Sequence, residues 1–350
     1  MKLNSRCFPS GALAYTDIEH AVRMVAKLFE KTPYLPVLPN ISPEDTILKR
    51  TLDNIPGIIV NGKKVTIQPG NDKYKQALAD LEKACTNPSK ELLEPYAMDT
   101  AFMEKFEQII HKFKSTEACV NLLGPFTLSQ ILNNAAEEQV LADKSFRKLF
   151  IQAVCAKALW AIYKIKEVSK STIPIIVLEE PMLGQLGTLK RDNDDITVEL
   201  VTSMLAKVVE KIQPTGALIA VQCYDKCDWK IPINAGIDII SFDAYNNPNN
   251  LCIIPDSVLE FLERGGKINW AIVPTINEFT VKNLNLDILE RRFIKTLEGL
   301  VTAGIPRPLV YNSALVSLQG DVDKLPLVFS EKALMLAKQL AGRIPVVKKG

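Results

Sequence analysis

The sequence predicts an α/β fold, namely a single (β/α)8 TIM barrel with an insertion between its second and third strands. Short apolar, β-branched segments alternate with long helical patterns along the 350 residues, which is typical of a parallel α/β architecture. The short segments are nearly continuous apolar runs, as strands buried on both faces require. No stretch resembles an interdomain linker, so residues 1–350 are predicted to form one domain.

Eight segments have the length and composition of barrel strands. They are residues 11–15, 34–38, 118–123, 175–178, 217–221, 237–241, 269–273 and 309–311. Helical periodicity predicts helices at residues 17–30, 143–166, 196–211, 256–264, 286–303 and 331–340. These helices would form the outer ring of the barrel.

The stretch 40–116 is too long for one connection and is predicted to be an insertion over the barrel mouth. A hairpin is predicted where residues 57–60 turn at Asn61-Gly62 into residues 64–67. A charged helix is predicted at residues 72–83.

Charge and composition exclude several classes of protein. With 42 basic and 40 acidic residues, the chain has no electrostatic footprint for nucleic acid or an anionic membrane, so a small-molecule substrate is expected. No apolar run approaches the roughly 18 residues of a membrane helix, and the N-terminus lacks the apolar core of a signal peptide. Seven scattered cysteines, an odd number, indicate a reducing cytoplasm rather than a disulfide framework.

The chain contains only two histidines, His20 and His111, both in helical patterns flanked by charge. Their number excludes a metal site built from several histidines. No phosphate loop or dinucleotide fingerprint is present, so no nucleotide cofactor is expected.

Two adjacent carboxylates, Glu179 and Glu180, follow the fourth predicted strand, where barrel enzymes place their chemistry. Such a pair at the rim of an apolar strand favours binding of a cation or uptake of a proton. Because neighbouring side chains on a strand point oppositely, one should face the mouth and the other the helices. The alternative is an acidic helix N-terminus.

Cys223, Cys227 and Asp243 follow the next two strands and could ligate a soft metal. Two cysteines alone are a weak signal, since a catalytic zinc takes about three protein ligands. In the alternative interpretation Cys223 packs as a small apolar residue and Asp243 caps a turn.

Motifs along nearly the whole chain resemble, in order, those of the uroporphyrinogen decarboxylase and cobalamin-independent methionine synthase superfamily, in particular its methionine synthase-like branch. The opening Gly11-Ala12-Leu13-Ala14-Tyr15-Thr16-Asp17 is similar to the family's Gly-Ser-Leu-Pro-His-Thr-Asp. The later similar blocks are Thr32-Pro33-Tyr34-Leu35-Pro36-Val37-Leu38-Pro39, Gly124-Pro125-Phe126-Thr127, Glu179-Glu180-Pro181, Cys227-Asp228-Trp229, Ser241-Phe242-Asp243-Ala244 and Trp270-Ala271-Ile272-Val273-Pro274-Thr275.

This resemblance implies a methyltransferase of methionine biosynthesis that acts on a thiol such as homocysteine, with a corrinoid protein or methyl-folate as donor. It implies that a zinc ion activates the thiol, and that Glu179 binds the amine of the ligand. The catalytic candidates are then Glu179, Glu180 and Tyr15; the substrate-binding candidates are Glu179, Gly11, Asp243 and Trp229; the metal candidates are Cys223, Asp243 and Cys227.

The sequence departs from the family at the zinc site. No histidine stands near Cys223, and Asn312-Ser313-Ala314-Leu315 replaces the block that carries the second cysteine. At most Cys223 and Asp243 remain of four ligands, which predicts a degenerate site with little or no zinc. Two other functions stay open: a non-catalytic barrel that binds a ligand or partner, and a decarboxylase acting on a tetrapyrrole. Against the latter, Arg6 is the only arginine in the first twenty residues.

Overall fold

The computed structural model describes residues 3, 5–9, 11–61, 64–67, 70, 72–98, 100–134, 143–192 and 195–347. The helices in these ranges are α1 (Ile18–Leu28), α2 (Ile47–Leu52), α3 (Asp72–Thr86), α4 (Lys90–Leu93), α5 (Met103–Phe113), α6 (Pro125–Ile131), α7 (Lys144–Val168), α8 (Leu186–Asp192), α9 (Val198–Ile212), α10 (Lys230–Asn234), α11 (Pro255–Glu263), α12 (Glu278–Lys282), α13 (Leu286–Thr302), α14 (Arg307–Ser313) and α15 (Leu327–Arg343). The strands are β1 (Ile58–Asn61), β2 (Lys64–Ile67), β3 (Glu117–Leu123), β4 (Asn133–Asn134), β5 (Ile173–Glu179), β6 (Leu218–Cys223), β7 (Ile239–Asp243), β8 (Lys267–Val273) and β9 (Ala314–Leu318).

The centre of the fold is a parallel sheet with the strand order β3-β5-β6-β7-β8-β9. Its strands are buried almost throughout, because helices cover the sheet, which agrees with their continuous apolar sequences. The register pairs Leu123 with Glu179 and Glu179 with Gln222. The carboxyl ends of neighbouring strands therefore meet at one edge. The predicted α/β class is confirmed.

The prediction of a closed eight-stranded barrel is wrong. In the described ranges the parallel sheet has six strands. The segments predicted as the first two strands form isolated bridges instead, with Ala12 opposite Val37 and Tyr34 opposite Cys119. The physical reason is local. The second segment carries prolines at every third position, Pro33, Pro36 and Pro39, and proline has no N–H to donate to a ladder.

The last strand was also predicted in the wrong place. The predicted segment 309–311 lies within α14, and the strand is β9, which begins at Ala314. Pro306 and Pro308 stand at the start of α14, where proline is compatible with the first turn of a helix. A short apolar run such as Leu309-Val310-Tyr311 does not by itself distinguish a strand from a buried helix.

The described part of residues 40–116 contains a smaller sheet and several helices. Strands β1 and β2 are antiparallel, as the hairpin prediction requires, and β4 joins β2 in parallel. Gly62 of the predicted turn lies outside the described residues. Helix α2 packs on β3, where the Thr51 hydroxyl accepts a hydrogen bond of 2.9 Å from the Leu123 N–H. Helices α3 and α4 pack against α7 instead.

Candidate ligand-binding site at the strand ends

A cavity of about 220 Å³ lies where the carboxyl ends of β3 and β5 approach the N-terminal segments. Carboxyl ends of parallel strands are the usual place for ligand sites in α/β proteins. We call it the mouth cavity. Its lining is Gly11, Ala12, Tyr34, Leu35, Val37, Pro39, Asp45, Thr46, Ile47, Asn121, Glu179, Asp321 and Asp323.

Glu179 ends β5 and is the half-buried carboxyl group of this cavity. The Asn121 amide on the neighbouring strand donates a hydrogen bond of 2.8 Å to its Oε1 atom. Burial raises the pKa of Glu179 to about 7; Asp321 adds to the shift, whereas the Asn121 hydrogen bond and the Arg50 cation oppose it. Near neutral pH this carboxyl group can therefore exchange a proton or bind a cation.

Two buried polar atoms of the mouth cavity have no hydrogen-bond partner in the described structure, the Tyr34 hydroxyl and the Asn121 Oδ1 atom. Burial raises the pKa of Tyr34 well above its usual value, so the hydroxyl stays protonated. Buried polar groups in native proteins are almost always paired, and an unpaired one calls for an explanation. A ligand with one acceptor and one donor would satisfy both atoms.

Gly11 and Asp321 form the opposite wall. The Asp321 Oδ1 atom accepts a hydrogen bond of 2.7 Å from the Ala12 N–H. Gly11 has a φ of +86°, and a Cβ atom there would lie 2.9 Å from the same Asp321 oxygen. Both the backbone conformation and the limited space therefore favour glycine at this position.

Arg50 on α2 holds two segments of the cavity wall in place. It is 3% exposed and forms an ion pair of 2.8 Å with Asp45. It also donates to the carbonyl groups of Leu35, at 2.9 Å, and Pro36. These bonds fix the segment that carries Tyr34, since this segment has almost no strand pairing of its own.

Glu180, predicted as catalytic, points away from the mouth cavity, as strand alternation predicts. It is fully buried and accepts hydrogen bonds from the N–H groups of Phe126, at 3.0 Å, and Thr127, at 2.7 Å, and from the Thr127 hydroxyl at 2.6 Å. Burial raises the pKa of Glu180 to about 7, against these hydrogen bonds. The side chain anchors the start of α6, and a Cβ atom on Gly124 would overlap it.

Tyr15, the other catalytic candidate, does not line the mouth cavity. Its hydroxyl donates a hydrogen bond of 3.4 Å to Glu331, and its ring lies 4.7 Å from that of His20. His20 in turn lies 3.0 Å from Glu331. The three side chains join α1 to α15.

The predicted metal ligands are not brought together around one point. Asp243 accepts hydrogen bonds from the N–H groups of Tyr245, at 3.0 Å, and Asn246, at 2.9 Å, and from the Gln319 amide at 3.1 Å. It therefore shapes the turn after β7. In the described ranges no three His, Cys, Asp or Glu side chains form a group that could hold a metal ion. The residues present do not fit a tetrahedral zinc site.

Cys223 and Cys227 form a buried pair after β6. Hydrogen bonding with the Cys227 thiol lowers the pKa of Cys223 and outweighs the effect of burial, while burial raises that of Cys227 well above its usual value. Cys227 and Trp229 line a different cavity, of about 390 Å³. The described structure thus keeps Gly11 and Glu179 in the mouth cavity and separates them from the thiols.

No protein-family model matches the chain, and no curated protein matches it either. A solved structure of a methyltransferase from Methanosarcina mazei is similar over 96% of this chain and 94% of that chain, with a TM-score of 0.52 and 14% sequence identity. The two proteins share a fold.

Several residues of the mouth cavity were missed at the level of sequence. Asn121 carried a usable signal, because it is the one polar residue inside the apolar run 118–123. Asp321 and Arg50 carried no such signal, since neither adjoins a predicted strand end in a recognisable motif.

Of the helices described here, none is long and apolar enough to cross a membrane.

Proposed function

We propose that this chain is a methyltransferase that acts on a small amine-bearing thiol such as homocysteine, bound in the mouth cavity. The observation that carries the proposal is the half-buried Glu179 carboxyl group, which is hydrogen-bonded to Asn121 and lines the same cavity as Tyr34, whose hydroxyl has no described partner. The shared fold with a methyltransferase and the motif resemblance to cobalamin-independent methionine synthases support the same assignment.

Each group has a defined role in this proposal. The Glu179 carboxylate binds the ammonium group of the ligand, and the Tyr34 hydroxyl donates to its carboxylate. Asn121 orients Glu179 through the 2.8 Å hydrogen bond and accepts a further donor at Oδ1. The reaction forms the S–CH3 bond, breaks the bond between the methyl group and its donor, and releases the thiol proton. The zinc ion of the family is not assigned a part, because the donor set does not fit it.

The methyl donor is proposed to be methyl-folate or a methylated corrinoid, and the place of action the cytoplasm, which the seven unpaired cysteines support. The test supplies homocysteine with methyltetrahydrofolate in one arm and methylcobalamin in the other and measures methionine by mass spectrometry. Formation of methionine that is lost in Glu179→Gln supports the proposal. Binding of homocysteine without methionine in either arm contradicts the methyl transfer but not the ligand site.

The second candidate function is a ligand-binding protein without catalysis. The absence of a three-ligand metal group among the described residues favours it, since thiol activation then lacks the usual cation. Elemental analysis of the protein purified without added metal is expected to show far less than one zinc per chain. Stoichiometric zinc that disappears in Cys223→Ser would contradict this expectation and favour thiol methylation.

A further inference from the structure

A second cavity, of about 420 Å³, lies in the helical layer between α3, α7 and α9. We call it the basic cavity. It shares no lining residue with the mouth cavity. Its volume falls within the roughly 300–1,000 Å³ of small-molecule sites. Five of its lining residues are basic and two are acidic: Lys144, Arg147, Lys148, Lys207 and Lys211 against Glu82 and Glu210.

Three of the five basic side chains of the basic cavity have no ion-pair partner among the described residues. Lys148 forms an ion pair of 2.8 Å with Glu82. No described acidic group lies within ion-pair distance of Lys144, Lys207 or Lys211, which are all exposed. Basic side chains of α7 and α9 thus line the same cavity and make it electropositive. Such an arrangement attracts an anion and concentrates it locally.

The position of the basic residues on α7 points to the same conclusion. Lys144, Arg147 and Lys148 lie in the first two turns of a helix of 25 residues, whose N-cap Asp143 accepts a hydrogen bond of 2.6 Å from the Ser145 N–H. The N-terminus of a helix carries a partial positive charge, so further cations there are unfavourable. A bound anion would interact favourably with these basic side chains.

The floor of the basic cavity is apolar and rich in sulfur. Cys85, Cys155 and Met204 line it and are 5%, 1% and 2% exposed. Leu200 and Ile151 complete the apolar part of the lining. Sulfur atoms make favourable contacts with the edges of aromatic rings, at about 5 Å. The floor therefore suits an aromatic body, whereas the rim suits its negative charge.

We infer that the basic cavity binds a small aromatic phosphate, with the phosphate between α7 and α9 and the ring on the sulfur-lined floor. Lys207 and Lys211 would contact the phosphate. This site is additional to the proposed methyl transfer and does not depend on it.

The test uses the full chain and phenyl phosphate as the probe, in phosphate-free buffer, with isothermal titration calorimetry. We expect a Kd below about 1 mM. The double variant Lys207→Gln/Lys211→Gln should weaken binding at least tenfold. The matched control is Lys27→Gln/Lys295→Gln, two exposed lysines outside the cavity, which removes the same net charge and should change the affinity less than twofold.

Two further measurements separate the parts of the inference. Inorganic phosphate should bind at least tenfold more weakly than phenyl phosphate, and Leu200→Gln should reduce that difference. Glu179→Gln should leave phenyl phosphate binding unchanged, so the result is independent of the mouth cavity. No binding to the wild type, or an equal loss in the control variant, would overturn the site. Equal affinity for the two phosphates would overturn the aromatic specificity.

Discussion

Asn121 on β3 and Glu179 on β5 are joined by a hydrogen bond of 2.8 Å, which leaves the Asn121 carbonyl oxygen buried without a described partner. The amide holds the carboxyl group in place by donating one N–H to it. Because burial raises the pKa of Glu179 to about 7, the charge of this site changes near neutral pH.

The first prediction concerns the pH dependence of ligand binding. A carboxyl group with a pKa of about 7 is mostly neutral at pH 6 and mostly ionised at pH 8. Affinity for an ammonium ligand should therefore rise about tenfold across that interval. L-methionine is the suitable probe, because it has no thiol that titrates. An affinity that is constant from pH 6 to pH 8, or that falls, would contradict the assignment of Glu179.

The second prediction separates the structural carboxyl group from the ligand-binding one. In Glu180→Gln an NH2 group replaces an oxygen that faces the N–H groups of Phe126 and Thr127. The free energy of unfolding should fall by about 1–3 kcal/mol, the cost of buried donors left unpaired. Urea denaturation measures it, with the exposed Glu260→Gln as the control, expected to change stability by less than about 0.5 kcal/mol. If Glu180→Gln were as stable as that control, the hydrogen bonds from the start of α6 to Glu180 would not contribute to stability.

The third prediction concerns Gly11. Gly11→Ala places a Cβ atom 2.9 Å from the Asp321 carboxylate, at a φ of +86° that disfavours alanine. We expect a loss of about 1–3 kcal/mol in the free energy of unfolding and weaker ligand binding, since Asp321 must leave the Ala12 N–H. The matched control is Gly187→Ala, where a Cβ atom meets nothing within 4 Å. If both variants were equally stable, the wall formed by Gly11 and Asp321 would not be rigid.

The sequence predicted most of the parallel strands, because buried strands such as β5 and β7 are continuous apolar runs between clear helices. It failed at both ends of the chain. Prolines reduced the segment around Tyr34 to two isolated bridges, and the apolar run after Pro308 formed a helix rather than a strand. In both places backbone constraints and tertiary packing outweighed hydrophobicity.

The candidate site was predictable only in part. Glu179 was identified from its place at a strand end, and the described structure puts it in the mouth cavity. Its partners Asn121, Tyr34 and Asp321 come from segments more than fifty residues away in sequence or from the other end of the chain. These residues are brought to the same cavity by the register between β3 and β5 and by the hydrogen bonds that Arg50 donates to the Leu35–Pro36 backbone. No local sequence pattern predicts either of these contacts.

The central claim is that Glu179 binds the amine of a small ligand in the mouth cavity. Calorimetric titration of L-homocysteine into the wild type, Glu179→Gln and Glu260→Gln at pH 8 tests it most directly. We expect the wild type and Glu260→Gln to bind alike and Glu179→Gln to bind at least tenfold more weakly, a loss of about 1.4 kcal/mol or more. Equal affinity of Glu179→Gln and the wild type would contradict the claim.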